Sequence, residues 1–127
     1  MEKVTIDDIR KAQDTIKDIV KRTDILESTK LSLLTNANIY YKCENLQKTG
    51  SFKVRGACNK IANLTEEEKS KGVIASSAGN HAQGVALGAK MNNIEATIVM
   101  PSTAPLAKVT ATKSYGANVV LEGIVYD

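Results

Sequence analysis

The chain has 127 residues, 43% hydrophobic and 24% charged, the make-up of a soluble globular domain with one modest core. Its +3 charge sets 17 Lys and Arg against 14 acids scattered along the chain, and its aromatics (Tyr40, Tyr41, Phe52, Tyr115, Tyr126) form no stacking platform; together these exclude a nucleic-acid partner. No stretch approaches the roughly 18 apolar residues of a membrane span, and the acidic start MEKVTIDD is no secretory signal, so the chain reads as cytoplasmic.

The spacing of Ile6, Ile9, Ala12, Ile16, Ile19 and Val20 predicts an amphipathic helix over about 6–20. Thr5 is its natural N-cap, with Asp8 in the capping-box place. A less regular stretch follows and ends in NIYYKCENL, where Ile39, Tyr41 and Cys43 alternate with Tyr40, Lys42 and Glu44 as in a half-buried strand. Ser51 can cap a helix running to about Ile61, and Thr65 with three glutamates behind it opens a short second one. Three apolar, β-branched runs come next, GVIAS at 72–76, ATIVM at 96–100 and NVVLE at 118–122, spaced to leave room for a helix and tight turns between them.

Runs that are apolar throughout fit a parallel sheet, so the expected class is α/β with helices on both faces. Three strands are few for a doubly wound domain, and the helix and strand before residue 46 lack a partner layer. The chain therefore reads as the first part of a larger protein. Cys43 and Cys58 match no redox or zinc spacing and read as reduced small hydrophobes. The Asn63-Leu64-Thr65 sequon is idle without a secretory route.

Ligands of open parallel sheets gather beyond the strands' carboxyl ends. The first such end here is SSAGNHAQG, 76–84, ahead of a helix of small residues. Ser76, Ser77, Ala78 and Gly79 leave backbone N–H groups open to converge on an anion, which the helix dipole favours. The alternative is an ordinary turn in which Asn80 caps the helix. Gly79 and Gly84 have Walker-like spacing, but Val85 and Ala86 stand where Lys-Ser/Thr would be needed. His81 is the single histidine; it reads as solvated, or as part of a site, and no metal-ligand cluster accompanies it.

Lys53, in TGSFKVRGA, is either a surface lysine or a lysine held for covalent chemistry. Its place in the first turn after Ser51 disfavours a second positive charge and so favours the neutral amine that attacks aldehydes. Gly50 and Gly56 let the backbone pass close to something flat, and Phe52 can present a ring face.

KTGSFKVRGA followed by SSAGNHAQGVALGAK resembles the pyridoxal-phosphate-dependent threonine dehydratases (threonine ammonia-lyases) of the tryptophan-synthase-like, fold type II group, and the likeness runs from TIDDIRKAQDTI to MPSTAPLAKVTATKSYGANVVL. The resemblance implies that Lys53 carries pyridoxal 5'-phosphate as a Schiff base and then removes the substrate's α-proton. Phe52 would lie against the ring, Asn80 would bond its phenolic oxygen, and Ser77, Ala78, Gly79, Asn80 and His81 would hold the substrate carboxylate. It also implies a small amino-acid substrate, a homo-oligomer, and L-threonine conversion to 2-oxobutanoate and ammonia in threonine catabolism or isoleucine biosynthesis. Residues 1–45 would belong to the larger domain of the intact enzyme and 46–127 to the small cofactor domain.

Serine racemases of the group carry a second serine just before the glycine; Ala78 stands there in this chain, which favours dehydration. The remaining alternatives are a serine dehydratase or racemase of the same group and a non-catalytic anion-binding module. The cofactor-phosphate loop of the family lies beyond residue 127, so the 127-residue piece is expected to be inactive.

Overall fold

The computed structural model describes residues 3–125; Met1 and Glu2 of the acidic start, and Tyr126 and Asp127, lie outside the described residues.

Helix α1 (Ile6–Ile16) starts at a complete capping box. Thr5 accepts from the Asp8 N–H at 3.3 Å, and the Asp8 carboxylate accepts the Thr5 N–H at 2.8 Å. It ends four residues short of the expected boundary, because the Ile16 carbonyl takes the N–H groups of both Ile19 and Val20 and closes a turn. Ile16 is buried with Val54, Cys58 and Leu87, and Ile19 and Val20 pack against them. The lower half of α1 thus has a partner layer, while Ile6 and Ile9 stay more than half exposed (62% and 55%).

Strand β1 (Ile25–Glu27), helix α2 (Thr29–Thr35) and strand β2 (Tyr40–Lys42) follow, with β1 and β2 paired antiparallel. The irregular reading of residues 25–35 missed β1 and α2. Strand β2 is shorter than expected, and all three of its residues are exposed rather than alternating in and out. A short 3₁₀ turn at Glu44–Leu46 leads to helix α3 (Lys53–Ala62). Helix α4 (Glu66–Ser70) opens on the Thr65–Glu68 capping box.

The three apolar runs form β3 (Val73–Ser76), β4 (Ala96–Met100) and β5 (Asn118–Leu121), a parallel sheet in the order β3-β4-β5. Helix α5 (Asn80–Met91) connects the first pair and α6 (Leu106–Ser114) the second. Val73, Ala75, Ala96, Ile98, Met100 and Val119 form one cluster with small residues of α5 and Val109 of α6. Fully burying a side chain such as Ile98 or Met100 contributes about 1.5–3 kcal/mol. The other face, with Ile74 at 74% exposure, carries no helix among the described residues. The helices expected on both faces are thus found on one face only among the described residues.

Exposed apolar surface on α1, on the open face of β3 and at Leu33 and Leu34 gives a first prediction. The 127-residue chain alone should self-associate as its concentration rises. A strictly monomeric light-scattering mass at high concentration would count against this.

Candidate active site

Two glycines set the geometry. A Cβ on Gly84 would stand 3.2 Å from the Lys53 carbonyl oxygen and 3.3 Å from the Ala57 Cβ. One on Gly88 would stand 3.3 Å from the Cys58 Cα. A step of four residues along α5 matches a similar step along α3, so the two helices run in the same direction and their N-termini share one end. Asn80 lies one turn above Gly84, about 6 Å along the axis at 1.5 Å per residue. Lys53 and the loop after β3 therefore open on the same mouth, at the carboxyl end of the sheet.

Lys53 is the first residue of α3. Its N–H donates to the Ser51 hydroxyl at 3.3 Å, although Phe52 rather than Ser51 occupies the N-cap position. Its side chain is exposed, with Nζ 5.2 Å from the centroid of the Phe52 ring, itself 59% exposed. Gly50 has φ +70, which a tight turn requires. Gly56 has open space where a Cβ would be, so the close approach expected there is instead made at Gly84 and Gly88.

The loop follows Ser76 directly. Ser77 is pinned to β4 through its N–H and the Val99 carbonyl at 3.0 Å, and its hydroxyl accepts the Gly79 N–H at 3.2 Å. Gly79, not Asn80, is the N-cap of α5; Asn80 and His81 are exposed first-turn residues. The N–H groups of Ala78, Asn80 and His81 have no protein partner among the described residues, whereas those of Ser77 and Gly79 are engaged. The open set suits a carboxylate or a phosphate oxygen. Together with a free primary amine and an exposed ring face, this donor set fits an aldehyde-bearing aromatic phosphate cofactor. Among the described residues no cluster of His, Cys, Asp or Glu could hold a metal ion.

Sequence reasoning missed the support beneath Lys53. Arg55 donates through Nε and Nη2 to the two carboxylate oxygens of Glu44 at 2.8 and 2.7 Å, and Thr23 donates to the same carboxylate at 2.6 Å. The fork of Arg55 holds the Glu44 carboxyl well below its usual range, at about 2. Because the folded value is depressed from 4.5, the stabilisation is fully present above that pH and is lost as pH falls toward 2. Glu44→Gln should therefore lose about 1–2 kcal/mol at neutral pH, less than the full shift because solvent reaches the pair, and little near pH 2. Chemical denaturation at several pH values checks this; a pH-independent loss would contradict it. Burial raises the Cys58 thiol to about 11, which leaves it inert at neutral pH.

Residues 16–127 match the family described as pyridoxal-phosphate dependent enzyme. An L-threonine ammonia-lyase of Thermotoga maritima is 59% identical over 98% of this chain and 31% of its own length. A catabolic L-threonine dehydratase of Staphylococcus aureus is 57% identical over 94% of this chain and 35% of its own. The chain thus spans about a third of these curated relatives. Among solved structures, maize serine racemase superposes with a TM-score of 0.90 at 43% identity, covering 96% of this chain and 37% of that one. A threonine deaminase from Solanum lycopersicum gives 0.82 at 41% identity, covering 96% and 35%. With the α/β fold, the parallel sheet and this match over most of its length, the chain belongs to the pyridoxal-phosphate-dependent enzyme family.

Proposed function

We propose that the full-length protein carrying this chain converts L-threonine to 2-oxobutanoate and ammonia. The observation that carries the reading is the shared mouth: an exposed amine at the start of α3 beside the open N–H groups at the start of α5. The 57–59% identity to proteins named for threonine deamination supports the choice of substrate.

Pyridoxal phosphate, when bound, supplies the electron sink for charge left on the substrate's α-carbon. Lys53 would hold the cofactor through Nζ, and the same amine, when free, would take the substrate's α-proton. Phe52 would hold the cofactor ring from one side and Asn80 would hydrogen-bond it. Ala78, Asn80 and His81 hold the substrate carboxylate through their backbone N–H groups, with Ser77 and Gly79 fixing the shape of that loop. The β-hydroxyl leaves as water, and water returns when the nitrogen is released as ammonia. Ala78 offers no hydroxyl as a second acid or base, which favours elimination over racemisation. The same proposal has the intact enzyme cytoplasmic and homo-oligomeric, with residues 1–45 in its larger domain and 46–127 in its cofactor domain.

The serine racemase superposition favours a second reading, in which L-serine is dehydrated or racemised. Rates of 2-oxobutanoate release from L-threonine, and of pyruvate and D-serine from L-serine, separate the two in the full-length protein. Faster threonine turnover is expected; preferential formation of D-serine would overturn it. Borohydride reduction with pyridoxal phosphate should label a peptide containing Lys53, and a label elsewhere ends both readings.

A further inference from the structure

We propose that Gln47 and Arg55 are positioning residues for Lys53, clamping the turn before it and the first turn of α3 onto a single atom, the Lys21 carbonyl oxygen. The inference rests on Lys53 being the cofactor's attachment point.

Gln47 begins the loop and is 4% exposed. Its side-chain amide makes a two-way bond with the backbone of Lys21: Oε1 accepts the Lys21 N–H at 2.8 Å, and Nε2 donates to the Lys21 carbonyl at 2.9 Å. The same Oε1 accepts the Lys48 N–H at 3.1 Å. The Gln47 carbonyl then closes the turn by accepting the Gly50 N–H at 2.8 Å. On the far side of Lys53, in the first turn of α3, Arg55 donates through Nη2 to the Lys21 carbonyl at 3.2 Å. Glu44 fixes the direction of that guanidinium by gripping it twice.

Residues 47–55 therefore form a closed bracket with one shared anchor. Neither Gln47 nor Arg55 bonds the loop at 77–81, so their effect reaches the chemistry only through where Lys53 sits. A lysine at a helix start is long and mobile, and placement of the reacting amine is worth large rate factors. Arg55 suits this task because a planar fork can serve two acceptors at once, which an ammonium cannot match in geometry.

The test uses the full-length protein with pyridoxal phosphate as probe. Gln47→Met keeps the buried volume and loses every amide bond; Arg55→Lys keeps the charge and loses the fork. Should Gln47→Met not fold, Arg55→Lys and Glu44→Gln make the same comparison. For each variant with a cooperative thermal transition, the rate of borohydride-trapped label at Lys53 is followed, together with kcat and KM for threonine. Trapping should slow at least about tenfold, with kcat falling and KM nearly unchanged. The double variant should be little slower than the worse single one, because both bonds end on one carbonyl. Folded variants that trap at the wild-type rate, or single effects that simply multiply, would overturn the bracket. Wild-type protein labelled at Lys53 under those outcomes leaves the functional reading intact; wild-type label elsewhere overturns both.

Discussion

Lys53→Ala in the full-length protein is expected to lower threonine turnover by at least about 10³-fold while leaving the fold almost untouched, because the substitution removes both the attachment amine and the base. The two effects separate cleanly at this position. The Lys53 side chain is exposed and makes no hydrogen bond or ion pair among the described residues, and its ammonium stands over the Phe52 ring. An exposed contact of that kind contributes about 0.5–1 kcal/mol, partly offset by alanine's better helix propensity. The melting transition should therefore shift by no more than about 1 kcal/mol in equivalent stability. Lys53→Arg sharpens the comparison: it keeps a cation over Phe52 and supplies no nucleophilic amine. Borohydride with pyridoxal phosphate should leave both variants unlabelled in this peptide. Turnover by Lys53→Ala at more than a few per cent of wild type would defeat the assignment.

What the sequence revealed follows from where each physical cause resides. Helix starts are local, so the Thr5–Asp8 box and the Thr65 start with its three glutamates were readable; both are formed, the second as a Thr65–Glu68 capping box. The three β-branched runs were readable for the same reason, and their parallel pairing follows from the helices between them. Strand β1 was not, because three exposed residues carry no period, and α2 ends at Asn36, whose left-handed φ of 52 leaves little mark on composition. The site divides in the same way. Lys53 and the loop at 77–81 stand out as local patterns. The contact that joins them does not, since Gly84 meets Lys53 across α4, β3 and the turns around them. Its Walker-like spacing from Gly79 lacked the Lys-Ser/Thr a phosphate loop needs, and the structure uses Gly84 for helix packing. The Glu44–Arg55 pair was hidden because charges on separate elements show no common face until the chain is folded.

That packing role makes Gly84→Val the substitution with the largest expected cost in stability. Gly84 is buried on α5, and the atoms nearest its missing side chain include the carbonyl carbon and oxygen of Lys53 at 3.3 and 3.2 Å. A single methyl there is already tight against backbone, which cannot rotate away as a side-chain tip could. In Gly84→Ala the strain opposes a helix-propensity gain of about 1 kcal/mol, so the net change should be small. Valine adds two more carbons and a stiff, branched Cβ. The helices must then separate, opening contacts from Ala57 down to Cys58 and Ile61. Overpacking of this kind costs about 1–3 kcal/mol, and more where backbone must move, so the full-length variant should lose roughly 3 kcal/mol by denaturant titration. The shift has a direction as well as a cost, because the atom pushed is the carbonyl of Lys53 itself. Well below its melting transition, Gly84→Val should still trap pyridoxal phosphate on Lys53 more slowly than wild type. A variant destabilised as expected but trapping at the wild-type rate would mean that α5 supports α3 without setting where the amine sits.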